Sequence, residues 1–379
     1  MTAVRFAAPA LACAAAALLA SVAAPALAHT AAASQPAAAA ASAPAPAPAP
    51  TIVKSVKVEP GGLYEIVFNP ADSNILIAAV GPRGETRGAI ARLNADLTPG
   101  QSIDVSANPL YGLGFNSRTQ TLYGTATRSG SVGVVDVRTG RLVATIKDGD
   151  DDSAHVREVI VDETRNKAYV TVVGGEANDA SRPNQIWVVD GATNAIERKI
   201  AAPVGGLTGA ALDARNNRLF VTGMSSNDVG VIDLATGQSV ATWPTGSEKP
   251  TNVAFDAAGG RLFVASQGTG DLTVMNAADG AVIKKVPTGE GALSVAYNPH
   301  NDQVYVANRQ AGTVTVVGGG DYAVLANLQT GTFPQTIAID PATNAVYVTN
   351  KARGLPRNAP AGTPVPVDPA GDTVTLIRP

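Results

Sequence analysis

One pattern recurs seven times along the 379 residues, and its period constrains the fold more than any other feature. Each copy is pinned by an Asp or Asn: Asn69, Asn116, Asp162, Asp213, Asp256, Asn298 and Asp340. The spacings between these anchors are 47, 46, 51, 43, 42 and 42. A repeat near 42 residues is the length of one four-stranded propeller blade. A chain of this length also exceeds what a single compact core usually spans, which favours growth by repeated units.

The phase inside each copy is strict. The residue before the anchor is apolar (Phe68, Phe115, Val161, Leu212, Phe255, Tyr297, Ile339), and so is the residue three before it (Ile66, Leu113, Val159, Ala210, Val253, Val295, Ile337). Between them stands Gly or Ala in five of seven copies. Alternation with a thin side chain on one face describes an innermost strand where neighbouring blades converge. Seven positions after each anchor comes a large residue: Leu76, Tyr123, Tyr169, Phe220, Phe263, Tyr305 and Tyr347. Its mostly apolar flanks predict a second strand buried between blades. The residues between the two strands are rich in turn formers, and an Asp or Asn side chain can bond the backbone of such a turn.

Third strands follow, such as Val132 to Val137 and Val314 to Val317, then fourth strands such as Leu142 to Ile146 and Ala281 to Val286. The last copy stops after its third strand, Thr373 to Arg378, while Ile52 to Val58 precedes the first blade and resembles the fourth strands elsewhere. The expected fold is therefore all-β: a seven-bladed β-propeller of four-stranded antiparallel blades over residues 51–379, closed by the N-terminal strand pairing into the last blade. Closure protects edge strands that would otherwise invite aggregation, and a monomer is expected.

Tyr347-Val348-Thr349-Asn350 spells the signature of the YVTN-repeat β-propellers, and Tyr305-Val306-Ala307-Asn308 and Phe263-Val264-Ala265-Ser266 are near copies. Over residues 51 to 379 the chain resembles this family, the YncE-like exported bacterial proteins. Blades 1 to 3 depart from the tetrapeptide. The resemblance implies a scaffold and does not imply one reaction.

Residues 1–28 read as a signal peptide, with Arg5 ahead of an Ala/Leu-rich run and Ala26-Leu27-Ala28 as a small-x-small cleavage site. Pro9 and Pro25 interrupt that run, so no transmembrane span is expected in the mature chain. Residues 29–50, almost wholly Ala, Pro, Ser and Thr, read as a semi-rigid tether. The expected location is periplasmic or secreted, after cleavage near Ala28. The single cysteine, Cys13, lies inside the leader. Lipidation there is the alternative reading, but the apolar run continues past it.

Loop length is uneven. In a blade meander the turns joining strands 1–2 and 3–4 share one face, and these are short. The other face carries the excess: Val80 to Gly88, Asp148 to Val156, Gly174 to Asn184 and Lys351 to Asp372, in blades 1, 2, 3 and 7. Insertions of this kind commonly build a binding face, so a ligand or macromolecular partner is expected over the 7-1-2-3 sector. The strand 2–3 loops carry Arg83, Arg87, Arg128, Arg182, Arg309, Lys351, Arg353 and Arg357, while loops nearer the axis carry Asp148, Asp150, Asp151, Asp152, Glu248 and Glu290. The pattern suggests a basic rim around an acidic mouth. Such a rim suits a protein, polysaccharide or other anionic partner, because guanidinium groups grip phosphate and carboxylate bidentately. Solvated loop charges, partly cancelled by neighbouring acids, are the bland alternative.

Single-stranded nucleic acid would need aromatic residues beside those arginines. Tyr64, Tyr111 and Phe333 begin inner strands on the same face. The formal net charge of −3 argues against a basic nucleic-acid protein. Clustered carboxylates at Asp148, Asp150 and Asp152 raise the question of a Ca²⁺ site, though the EF-hand spacing is missing; no other cofactor is indicated. Catalysis finds little support. His155 is the one histidine expected on the long-loop face, and a lactonase-like hydrolase or lyase would need it beside Arg and Glu or Asp partners in the channel.

Overall fold

The computed structural model describes residues 49–379 apart from 82–86, 151, 178, 357 and 361–362. The leader, Cys13, nearly all of the tether, and Arg83, Asp151 and Arg357 lie outside the described residues.

Seven four-stranded antiparallel sheets are arranged as a propeller. Blade 1 comprises Leu63–Asn69, Asn74–Ala79, Ala89–Asn94 and the short Ile103–Asp104. Blade 7 takes three strands from the C-terminal end (Pro334–Ile339, Val346–Asn350, Thr373–Arg378) and its outer strand, Thr51–Lys57, from the N-terminal end. The closing pair runs antiparallel from Thr51 opposite Arg378 to Lys57 opposite Thr373. The ring is shut as the repeat phase requires. Among the described residues no helix is long and apolar enough to cross a membrane.

All seven anchors perform the same task. Each is buried, and each side-chain oxygen accepts from a backbone N–H two or three residues on: Ala71, Arg118, Thr164, Asn216, Ala258, His300 and Ala342. The turn closes through a left-handed residue four places after the anchor in every blade: Ser73, Gln120, Asn166, Asn217, Gly260, Asp302 and Asn344, with φ between 49° and 64°. Asn, Asp and Gly tolerate that region best, which explains most of the choices there.

The core lies between blades. The large second-strand residues are all buried, and each apolar cluster straddles two neighbours; Tyr123 of blade 2, for example, packs with Val156, Val159 and Trp187 of blade 3. Burying one such side chain stabilises by about 2–3 kcal/mol. The thin inner-strand position is steric: a Cβ on Gly114 would stand 2.6 Å from the Val159 carbonyl oxygen of the next blade. The Thr-Asn half of the signature stitches strands together. The Thr349 hydroxyl donates to the Tyr64 carbonyl of blade 1 at 2.7 Å, and Asn350 Nδ2 donates to the Thr373 and Thr375 hydroxyls at 3.1 and 3.0 Å.

Candidate functional site in the channel mouth

On the long-loop face the inner strands surround a cavity of about 470 Å³. Its walls follow from the repeat register. Four positions before the anchors stand Glu65, Gly112, Glu158, Gly209, Asn252, Ser294 and Thr336; five before them stand Tyr64, Tyr111, Arg157, Thr208, Thr251, Leu293 and Gln335. All but Thr208 and Gly209 line the cavity, joined from the strand 2–3 loops by Thr127, Arg128, Met224, Gln267 and Arg309, and by His155. Gly112 is fixed by close approach, since a Cβ there would lie 2.1 Å from the Arg157 carbonyl oxygen.

The floor carries two carboxyls and a guanidinium. Glu65 of blade 1 and Glu158 of blade 3 are enclosed by the ring while keeping part of their surface on the channel. Burial pushes Glu65 up to about 7, against the Thr336 hydroxyl, the backbone at Ile66 and Arg157, which pull it down. Burial and the Glu65 charge push Glu158 up to about 8, against Arg157 and a hydrogen bond from Asn252. That bond crosses from blade 5, with Asn252 Nδ2 donating to Glu158 Oε1 at 3.3 Å. Burial lowers Arg157, opposed by the Glu158 and Glu65 charges. His155 is held below the usual imidazole range by burial and by Arg157 and Arg182. Burial on the floor therefore favours the neutral forms of Glu65, Glu158 and His155, beside the Arg157 guanidinium.

The rim is built from cations laid over aromatic rings. Lys351 Nζ lies 3.6 Å from the Tyr64 centroid, and Arg128 lies 5.7 Å from that of Tyr111. The two tyrosines meet edge to face at 4.9 Å. Arg309 and Arg353 both lie over Phe333. Among the described residues none of Arg128, Arg309, Lys351 and Arg353 is paired with a carboxylate.

Of the residues singled out in the sequence, Tyr64, Tyr111, Arg128, His155 and Arg309 border the cavity, and Phe333, Lys351 and Arg353 join them at the rim. Arg87 and Arg182 are exposed and do not border it. The acidic mouth expected from the loop residues is corrected. None of Asp148, Asp150, Asp152, Glu248 and Glu290 lines the cavity. Asp148 pairs with Lys199 and Asp152 with Lys147, so the acidic run is drawn apart toward lysines. Among the described residues no group of three or more potential metal ligands comes together, from Asp148, Asp150 and Asp152 or elsewhere. Sequence reading passed over Glu65, Arg157 and Glu158. The signal was available: the positions four and five before the anchor break with the apolar pattern and change identity from blade to blade.

No family model matches the chain. Two relatives named uncharacterized protein YncE align with part of it. The Salmonella typhi protein is 29% identical over 185 residues, 47% of this chain and 50% of the relative. That of Escherichia coli K12 is 28% identical over 182 residues, 46% and 49%. The chain thus spans about half the length of the curated relatives it matches. Among solved structures, the β-propeller domain of Myceliophteria thermophila Cps50 (Swd1) superposes with a TM-score of 0.64 at 10% identity, covering 86% of this chain and 99% of that one. That likeness speaks to fold alone. The chain is a β-propeller that resembles the YncE proteins over about half of its length. The names of these relatives carry no activity.

Proposed function

We propose that this YncE-like propeller is an exported binding scaffold that takes an anionic ligand, or an anionic segment of a partner, into the channel mouth on its long-loop face. One observation carries this reading: the rim cations Arg128, Arg309, Lys351 and Arg353 stand over aromatic rings with no carboxylate partner among the described residues. The ring faces attract the cations, and the N–H donors of those cations are suited to an anionic ligand. The raised carboxyls add to this, because a protonated Glu158 does not repel an anion and can donate to it. Location follows the leader sequence and is part of the proposal.

The test is a binding panel of fluorescent acidic peptide, sulfated oligosaccharide, single-stranded oligonucleotide and neutral dextran, measured across salt concentrations. Anionic probes should bind with an affinity that falls with salt, and the Arg128→Gln, Lys351→Gln double variant should lose it. Equal binding of neutral dextran, or indifference to the double variant, would overturn the reading.

A second reading, a hydrolase or lyase in the same mouth, draws on a specific grouping. Glu65, Glu158, Arg157 and His155 border one cavity, with both carboxyls raised toward the range useful for general acid–base work. A panel of lactones and sugar phosphates tests it. Turnover that survives both Glu158→Gln and His155→Ala, or no turnover by the native chain, would sink it.

A further inference from the structure

Phe333 has two cations on one ring. The guanidinium carbon of Arg309 lies 4.7 Å from the ring centroid and that of Arg353 lies 4.9 Å from it. The three residues come from three segments. Arg309 follows the second strand of blade 6 (Gln303–Asn308), Phe333 precedes the inner strand of blade 7, and Arg353 leaves the second strand of blade 7. The ring is fixed from behind. Phe333 sits in the left-handed region at φ 42°, which is costly for a bulky residue. Its carbonyl accepts from Lys351 N at 3.1 Å and from Gln335 Nε2 at 2.7 Å.

Two positive charges gathered on one apolar ring repel each other, and among the described residues no carboxylate compensates them. Among the described residues neither arginine forms an ion pair. The nearby loop carboxylate, Asp368, is engaged elsewhere, accepting from Arg353 N at 3.0 Å, the Thr332 hydroxyl at 2.9 Å and Ala370 N at 3.2 Å. Arg309 Nε is buried and has no hydrogen-bond partner. A buried donor without an acceptor is a standing cost that a ligand oxygen would remove. Arg309 also borders the channel cavity, so this donor belongs to the wall between the ring and the mouth.

We propose that Arg309, Phe333 and Arg353 form an oxyanion clamp that holds the phosphate, sulfate or carboxylate group of a ligand whose body lies in the channel mouth. This rests on the anion-binding reading above and assigns the group that anchors the ligand. A guanidinium presents its N–H donors as a planar fork, and that fork matches two oxygens of one anionic group. The cations already occupy the phenyl ring, so recognition runs through the ligand's charge and not through base stacking, which needs an open aromatic face.

The experiment uses the full chain at low ionic strength, with inorganic phosphate as the probe and phosphorus NMR line broadening as the readout. Sulfate and succinate serve as competitors and separate the three oxyanion classes. Arg353→Gln, at an exposed position, and Arg309→Lys, which keeps the charge but loses the fork, should each weaken phosphate binding by about tenfold. Arg128→Gln should weaken it only a few-fold, through lost attraction at a distance. Melting temperatures confirm that the variants are folded. Undiminished binding in Arg353→Gln and Arg309→Lys, with loss in Arg128→Gln, would overturn the clamp and leave the mouth as the anion site. If the native chain binds none of the three anions, the clamp and the wider anion reading both fall.

Discussion

The two faces of this ring treat the same side chains in opposite ways. On the turn face, Arg165, Arg218 and Arg261 reach the anchor carboxylates of their own blades, Asp162, Asp213 and Asp256, at 2.6, 2.9 and 2.7 Å. Arg218 and Arg261 lie over Phe220 and Phe263 as well. On the long-loop face the rim cations Arg128, Arg309, Lys351 and Arg353 keep the aromatic contact without a carboxylate partner among the described residues. The inner strands show the same division along their length. At the anchor end all seven copies are Asp or Asn; four positions earlier the seven are Glu, Gly, Glu, Gly, Asn, Ser and Thr. Uniformity marks the end that holds the blades. Variation, and rim cations without a carboxylate partner among the described residues, mark the end proposed to meet a ligand.

The largest expected effect comes from breaking an anchor. Asp256 is buried, bonds the backbone N–H groups of Ala258 and Gly259, and pairs with Arg261. Asp256→Ala strands both N–H groups and leaves Arg261 with Asp302 as its remaining carboxylate partner, and should cost about 3 kcal/mol in denaturant titration. Arg309→Gln, on the other face, should change stability by less than about 0.5 kcal/mol. Comparable losses at both sites would erase the distinction between the faces.

Next comes the pH response of the floor. Carboxyls raised above the ordinary 4.5 to about 7 and about 8 bind protons more tightly in the folded chain. The protonated form thus contributes stability at low pH that is lost as pH rises from about 4.5 through about 8. Anion affinity should fall over the upper part of that window, as ionised carboxylates come to oppose the cations. Glu158→Gln should flatten both curves and raise the melting temperature at pH 8 by a few degrees, with less effect at pH 5. A variant that tracks the native protein across this range would show that the carboxyl is already ionised.

The smallest effect on the fold should follow from trimming the blade 7 loop. Its base is tied down: Asp372 Oδ1 accepts from Gly62 N and Ala352 N, Asp368 accepts from Thr332, and Lys57 Nζ donates to the Asp368 and Gly371 carbonyls. Replacing residues 354–366 with two glycines spares these bonds and should leave the melting temperature within about a degree. Extending the deletion through Asp368 removes a tie and should lower it.

How much of this was legible in the sequence follows the same division. The anchors, the buried second-strand aromatics and the closing strand could all be placed, because backbone bonding and close packing make the same demand in every blade. The rim aromatics Tyr64, Tyr111 and Phe333 were found as the few that fall outside the repeat positions. Glu65, Arg157 and Glu158 were not found, because nothing local in the chain shows that strands 93 positions apart share one channel wall. The acidic run misled for a related reason: clustering along the chain did not reveal that Lys147 and Lys199 would take up Asp152 and Asp148.

The most direct measurement is to locate a bound oxyanion by anomalous diffraction from crystals of the full chain soaked in selenate, with sulfate omitted. Selenate should occupy the channel mouth, in contact with Arg309, and should be displaced by phosphate. Selenate bound only on the turn face or along the outer strands, with the mouth empty, would contradict the division of the ring into a face that holds the fold and a face that holds the ligand.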